Sequence, residues 1–268
     1  MLQNDLRLTL IQTDIYWHDI TANLAHYEEW LWDLKGATDV IILPEMFQTG
    51  FTMEVEAMAE PINFTTFKWM RRLAEHTQAL VLGSHIVKDR GQFFNRLLWV
   101  EPDGAYATYD KRHLFRMANE HHHFSSGKTR LVRSWKGWRI HPLVCYDLRF
   151  PVWSRNRSIG TDQPEYDLLL YVANWPAARV NAWDALLQAR AIENLCFVAG
   201  VNRVGEDGKQ IPYNGHSSVY SPRVERLWYG GEEVSLGQVT LSADNLNRFR
   251  EKFPAHLDAD QFEINLEP

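Results

Sequence analysis

The chain has 268 residues, of which 45% are hydrophobic and 23% charged, with a formal net charge of −6. This composition is typical of a soluble globular protein with a sizeable core, and an acidic chain without a long basic run argues against binding to nucleic acid. No apolar stretch approaches the roughly 18 residues of a membrane span, and no signal peptide is visible. The two cysteines, Cys145 and Cys196, are too few for a disulfide framework, so we expect a reducing compartment, by default the cytoplasm.

The N-terminal part of the chain predicts a layered α/β arrangement. Residues 6–13 alternate apolar and polar side chains, which is typical of a strand with one buried face. Residues 22–35 carry apolar side chains at helical spacing and end at Gly36. A short apolar strand follows at residues 39–43, so strand, helix and strand form a crossover unit. A helix around residues 64–74 and a hairpin of residues 79–87 and 93–100 come next.

Three chemically reactive side chains stand where predicted strands end. Glu45 directly follows the strand that Pro44 stops, Lys111 follows the hairpin region, and Cys145 ends the apolar run of residues 143–144. Ligands bind outside the carboxyl ends of strands in open α/β sheets. Cys145 alone has a second interpretation as a structural cysteine, because free cysteine is among the most buried residue types. Cys196 lies inside a predicted strand, residues 195–201, and is expected to be structural.

In these segments the chain resembles the nitrilase superfamily of carbon–nitrogen hydrolases, whose triad is Glu-Lys-Cys. The matching segments are Leu43-Pro44-Glu45, Asn95 with the three residues after it, Tyr109-Asp110-Lys111, Val144-Cys145-Tyr146-Asp147 and residues 183–194. The resemblance runs from about Arg7 to the region of Asp244. It implies an α/β fold, a four-layer α-β-β-α sandwich of one domain, with a core at about residues 6–244. Residues 245–268 would form a tail on the surface or on a dimer partner. The family also implies a homodimer or larger homo-oligomer, with residues 183–194 and the segment after the cysteine facing the second subunit.

The resemblance implies a role for each reactive residue. Cys145 is the nucleophile, Glu45 the general base and acid, and Lys111 the stabiliser of the oxyanion, together with the backbone N–H of Tyr146. A thiol is mostly protonated at neutral pH, so a neighbouring base must take its proton before it attacks. Glu120 stands seven residues before a glycine, as the family's second glutamate does, and would orient the lysine or the substrate; its other interpretation is a surface carboxylate. The acyl group would remain on Cys145 as a thioester, and hydrolysis of this thioester would release the product. No cofactor is expected.

Residues 111–121 and 145–151 look like the omega-amidase branch of the family, which deamidates 2-oxoglutaramate and 2-oxosuccinamate. Such small-molecule amides carry a carboxylate at the far end, for which arginine is a suitable partner. Arg116 and Arg149 are nearest in sequence to the catalytic segments, although each has a second interpretation as a structural ion-pair partner. Trp175, at the tip of a predicted strand, is a third candidate for substrate binding.

Several alternatives stay open at this stage. A nitrilase or an N-carbamoyl amidase would use the same triad, and a non-catalytic binding protein would keep the fold alone. A metal-dependent hydrolase built on His121, His122 and His123 is disfavoured, because adjacent residues do not share one face of a helix or strand, and no metal-site spacing is present. A cysteine protease of the Cys-His type is disfavoured because Glu45 and Lys111 occupy the strand ends.

Overall fold

The computed structural model describes residues 1–158 and 162–266. In this part of the chain the strands are Leu6–Gln12 (β1), Val40–Ile42 (β2), Leu80–Asp89 (β3), Gln92–Val100 (β4), Tyr106–Asp110 (β5), Arg133–Trp135 (β6), Trp138–Val144 (β7), Leu168–Ala173 (β8), Phe197–Asn202 (β9), Val204–Glu206 (β10), Pro212–Asn214 (β11), Ser218–Tyr220 (β12), Arg226–Tyr229 (β13) and Ser235–Leu241 (β14). The α-helices are Ile20–Leu31 (α1), Val55–Met58 (α2), Thr65–Thr77 (α3), Glu120–His123 (α4), Pro151–Ser154 (α5), Val180–Asn194 (α6) and Ala243–Lys252 (α7).

The strands form two six-stranded sheets and a small separate ribbon. The first sheet has the order β14-β1-β2-β3-β4-β5, the second β13-β12-β9-β8-β7-β6, and β10 pairs with β11. Strands β1, β2 and β3 are parallel to one another, as are β7, β8 and β9. Strand β4 is antiparallel to β3, and β5 is antiparallel to β4. Strand β5 therefore runs in the same direction as β1, β2 and β3. The carboxyl ends of β2 and β5 therefore meet at one edge of the first sheet, where α/β proteins bind their ligands.

The two sheets pack face to face and helices cover their outer faces. One apolar cluster joins Leu8 and Trp99 of the first sheet to Ile140 of the second, and burial of each such side chain contributes about 1.5–3 kcal/mol. Helices α1 and α3 cover the outside of the first sheet, where Tyr27 lies in a second cluster. Helix α6 lies so close to β9 that a Cβ on Gly200 would stand 2.7 Å from a Leu187 methyl carbon. The predicted four-layer α-β-β-α sandwich is therefore confirmed.

The ends of some elements differ from the sequence-based expectation. The helix expected over residues 22–35 starts at Ile20 and ends at Leu31, followed by a 3-10 turn of residues 32–34. Residues 245–252, expected as part of a polar tail, lie in α7, where Ser242 caps the helix and Leu246 is fully buried. No helix within residues 1–158 and 162–266 is long and apolar enough to cross a membrane.

Candidate active site

Cys145 stands at a sharp turn between β7 and the 3-10 helix Cys145–Arg149. Its φ of 43° lies in the left-handed region, which costs a residue with a side chain on the order of 1–3 kcal/mol unless the surroundings hold it there. One such contact is the N–H of Val144, which donates to Asp147 Oδ2 at 3.1 Å. The thiol is nearly buried, and Sγ lies 3.9 Å from the carbonyl oxygen of Asn174.

Lys111 lies between two glutamates that come from different parts of the chain. Its Nζ is 2.9 Å from Glu45 Oε1 and 3.0 and 2.9 Å from the two carboxylate oxygens of Glu120. All three side chains are almost completely buried. Glu45 follows β2 after two residues, Lys111 directly follows β5, and Glu120 begins α4. The structure thus brings together the three ionisable groups that the sequence predicts beside Cys145.

Two asparagines complete this cluster and were not predicted as site residues. Asn95 Nδ2 donates to Glu45 Oε1 at 2.7 Å and to Glu120 Oε1 at 3.3 Å. The backbone N–H of Asn174 donates to Glu45 Oε2 at 2.8 Å, and its side-chain Nδ2 donates to the Glu45 carbonyl oxygen. Asn174 directly follows β8, so the same strand-end rule that found Glu45 could have found it.

The charges of the cluster act on one another because water is excluded. Burial disfavours the charged form of Lys111, but the carboxylates of Glu120 and Glu45 outweigh it and raise the pKa of the lysine. Burial raises the pKa of the Cys145 thiol, and the charge of Glu45 raises it further. Burial also raises the pKa of Glu120, against the opposing effect of Lys111. The resting thiol is therefore protonated at neutral pH, and attack requires a base beside it.

The loop of residues 112–127 folds back onto the lysine. The N–H of Phe115 donates to Glu120 Oε2 at 2.6 Å, and the N–H of Gly127 donates to the Lys111 carbonyl oxygen at 3.0 Å. A Cβ at Gly127 would lie 2.0 Å from the Asp110 carbonyl oxygen, so only glycine fits there. The three adjacent histidines, residues 121–123, belong to this loop, and among residues 1–158 and 162–266 no three His, Cys, Asp or Glu side chains are placed to hold a metal ion.

A cavity of about 240 Å³ opens onto the thiol. Its lining includes Lys111, Cys145 and Tyr146, as well as two of the three candidate substrate-binding residues, Arg149 and Trp175. The guanidinium carbon of Arg149 lies 5.0 Å from the centre of the Trp175 ring. The third candidate, Arg116, is exposed and does not line the cavity. Its neighbours at the 3-10 turn line the cavity in its place: Phe115, Met117 and Ala118.

The cavity wall contains two further cations that the sequence did not indicate. Arg179 comes from the 3-10 turn before α6, and Lys209 from the turn of the β10–β11 ribbon. Asp207 lies beside them, but its oxygens already accept the N–H groups of Lys209 and Ile211 and the hydroxyl of Tyr213. The loop of residues 48–53 also reaches the site, since the Phe51 ring centre is 5.2 Å from Lys111 Nζ.

Comparison with known proteins gives concordant matches. Residues 7–251 match the carbon–nitrogen hydrolase family. The chain is 48% identical over 260 residues to omega-amidase YafV of Escherichia coli strain K12, covering 97% of this chain and 98% of that protein. It is 29% identical to the 2-oxoglutaramate amidase of Bacillus subtilis strain 168, covering 94% and 96%. A CN-hydrolase superfamily protein of Xanthomonas campestris, solved with an arsenic adduct in its active site, superposes with a TM-score of 0.96 at 47% identity, covering 98% of this chain and 100% of that one.

Proposed function

The chain belongs to the carbon–nitrogen hydrolase family, and we propose that it is an omega-amidase that hydrolyses the terminal amide of 2-oxoglutaramate or 2-oxosuccinamate. The observation that carries the proposal is the buried contact of Lys111 with Glu45 and Glu120 beside the Cys145 thiol. The 48% identity to an omega-amidase across nearly the whole of both chains supports the substrate class.

In the proposed reaction Glu45 takes the thiol proton and the thiolate attacks the amide carbon. Burial keeps the resting thiol protonated, so the proton transfer and the attack are coupled to substrate binding. Glu45 is well placed for this step because its two oxygens are held by Asn95 and by the N–H of Asn174. The same carboxyl group then returns the proton to the leaving nitrogen, which departs as ammonia.

Lys111 and the backbone N–H of Tyr146 stabilise the oxyanion of the tetrahedral intermediate. An ammonium group has three N–H donors; one goes to Glu45 and one is shared between the two oxygens of Glu120, which leaves the third for the oxyanion. Loss of one such preorganised donor typically lowers the rate by about 100- to 1000-fold. The acyl group remains on Cys145 as a thioester, which a water molecule activated by Glu45 hydrolyses to the free acid.

The far end of the substrate meets a positively charged wall. Arg149 has no carboxylate partner among the described residues, and neither do Arg179 and Lys209. We assign the substrate carboxylate to Arg149, whose planar guanidinium suits a bidentate contact. Both oxygens of Asp207, the acidic residue of the cavity wall, already accept hydrogen bonds from the protein, which weakens them as partners for an α-ammonium group. The wall therefore favours a 2-oxo acid over glutamine.

We also propose that the protein is a cytoplasmic homodimer. Val152 of α5 and Ile192 of α6 are each 55% exposed, and these helices belong to the segments that pack against a second subunit in the family. Such apolar side chains on neighbouring segments fit a surface buried on association. Both cysteines are free thiols, as expected in a reducing compartment. The molar mass by light scattering tests the dimer, with V152D/I192D as the variant expected to be monomeric.

The function is tested by ammonia release from 2-oxoglutaramate, with glutamine, a simple nitrile and an N-carbamoyl amino acid as comparators. The wild type and Cys145→Ala are assayed together, and Cys196→Ala serves as the matched control at the second buried thiol. We expect rapid hydrolysis of the oxo-amide by the wild type and by Cys196→Ala, and none by Cys145→Ala.

Other outcomes of this assay would change the proposal in defined ways. Faster turnover of the nitrile or of the carbamoyl compound, still dependent on Cys145, would retain the mechanism and reject the substrate. Full activity of Cys145→Ala would reject the mechanism itself. Inactivity on all four compounds would favour a binding protein that retains the fold of its family.

A further inference from the structure

A second buried network lies behind the thiol, and the proposed reaction does not use it. Its centre is Asp147, a fully buried carboxylate two residues after the nucleophile. Asp147 Oδ2 accepts the Tyr109 hydroxyl at 2.7 Å and the N–H of Val144 at 3.1 Å. Asp147 Oδ1 accepts the backbone N–H of His113 at 3.0 Å and lies 2.7 Å from His113 Nδ1. Both oxygens of this carboxylate are therefore fully occupied.

These partners are close neighbours of the lysine and the cysteine in the sequence. Tyr109 lies two residues before Lys111 and His113 two residues after it, while Val144 directly precedes Cys145. One carboxylate from the 3-10 helix after β7 thus holds the lysine segment of the first sheet at two points and the nucleophile turn of the second sheet at a third. It joins the two sheets at the place where their reactive groups must meet.

The partners of Asp147 are themselves held in place. The Tyr109 hydroxyl accepts the indole N–H of Trp153 at 2.9 Å, which leaves its proton directed at Asp147. The His113 ring stacks on Phe150 with 3.7 Å between ring centres and 4° between planes. Since an ionised carboxylate only accepts, Nδ1 carries the proton in this contact. Charge-assisted hydrogen bonds of this kind are stronger than neutral ones.

We propose that Asp147 is a positioning residue which, through Tyr109 and His113, fixes Cys145 and Lys111 relative to each other and keeps Cys145 in its strained backbone conformation. The inference rests on the proposed roles of Cys145 and Lys111. Asp147 does not line the cavity, so it acts by setting the distance between the thiol of Cys145 and the ammonium group of Lys111. A displacement of about 1 Å at a reacting group is enough to lower a rate about 100-fold.

The test uses Asp147→Asn with Asp167→Asn as a matched control. Asp167 is also a buried carboxylate at a strand end, where it binds Arg139 and Arg250 instead of the lysine segment. A carboxamide at position 147 places an NH2 group against donors, and at least one contact is lost. For Asp147→Asn we expect kcat to fall about 100-fold with KM within about threefold. For Asp167→Asn we expect a lower melting temperature and an unchanged kcat.

A second pair of variants isolates a single hydrogen bond of the network. His113→Asn keeps an N–H donor close to the position of Nδ1, whereas His113→Leu has the same branching without a donor; both remove the stacking on Phe150. We expect His113→Asn to retain at least about ten times the kcat of His113→Leu, as one charge-assisted bond implies. This pair decides the question if Asp147→Asn does not fold.

The rate of alkylation of Cys145 by iodoacetamide, followed by mass spectrometry, separates this inference from the proposed function. If the wild type hydrolyses none of the four compounds, the proposed function fails, but the alkylation rates of the Asp147 and His113 variants still report the placement of the thiol. Slower alkylation of Asp147→Asn and His113→Leu supports the positioning role. Wild-type kcat and wild-type alkylation in both variants would overturn it.

Discussion

The substitution Glu120→Gln removes one charge from the cluster and leaves its shape intact. The Glu120 carboxylate accepts hydrogen bonds from Lys111, from Asn95 and from the N–H of Phe115. A carboxamide retains one accepting oxygen, and its NH2 group faces donors at the other position. Because Glu45 still neutralises Lys111, the lysine is not left as an unpaired buried charge. We therefore expect the loss of about one charge-assisted hydrogen bond, or about 2–3 kcal/mol in the free energy of unfolding.

The same substitution should make the Cys145 thiol more acidic and should nevertheless lower the catalytic rate. The charge of Glu120 raises the pKa of the Cys145 thiol, whereas the charge of Lys111 lowers it. Glu120 also binds Lys111 and so weakens the effect of the lysine on the thiol. Without the charge of Glu120 the pKa of the thiol falls, and the pH profile of iodoacetamide alkylation moves to lower pH. The value of kcat for the amide nevertheless falls by about 100-fold, because Lys111 is no longer held towards the oxyanion. A more acidic thiol in a slower enzyme is the expected signature.

Alkylation rates between pH 5 and 10, steady-state ammonia release and urea unfolding measure these three effects. Glu60→Gln is the control, since Glu60 is also buried and accepts the N–H of Thr66 at 3.0 Å outside the cluster. It should leave both kcat and the alkylation profile unchanged. An alkylation profile of Glu120→Gln that stays in place or moves to higher pH would refute the electrostatic reasoning, and an unchanged kcat would refute the role of Glu120.

Two further predictions concern substrate binding and the response to acid. Arg149→Gln should raise the KM for 2-oxoglutaramate at least about tenfold through loss of a charged contact, while Arg116→Gln should leave kcat and KM within about twofold in the same assay, since that side chain is exposed. Burial and the charge of Arg96 lower the pKa of His85 from 6.5 to about 3. Between these pH values His85 is protonated in the unfolded chain and neutral in the folded protein. The free energy of unfolding therefore decreases as the pH falls from 6.5 towards 3. Neither ring nitrogen has a partner among the described residues, so His85→Leu should raise the free energy of unfolding at pH 7 by about 1 kcal/mol and flatten this acid limb in urea titrations.

The reactive residues could be found from the sequence because each follows an apolar run. Glu45, Lys111 and Cys145 all stand within three residues of the end of a strand, and period-two or continuous apolar patterns reveal strands without any knowledge of the fold. The order of these segments also identified the family, which the comparisons confirm. Roles for the individual residues stay predictions until the variants above are measured.

The substrate end of the cavity was harder to predict, because tertiary packing determines it. Arg179 and Lys209 come from a 3-10 turn and from a two-stranded ribbon, elements whose placement over the thiol depends on contacts made elsewhere in the chain. Proximity in sequence selected Arg116, yet a turn of only three residues directs that side chain to the solvent. Helix α7 was overlooked since its few apolar residues, Leu246 among them, are diluted by polar neighbours.

The pairing of β14 with β1 has a consequence for folding of the chain during its synthesis on the ribosome. Strand β1 is synthesised long before its neighbour on one side, which consists of residues 235–241. Until those residues leave the exit tunnel, β1 remains a bare edge that any other extended peptide could pair with. The first sheet, which carries Glu45 and Lys111, is therefore completed only after residues 235–241 have been synthesised. A nascent chain therefore contains Cys145 before the sheet that carries Glu45 and Lys111 is complete, and during this interval a chaperone would protect the unpaired edge of β1.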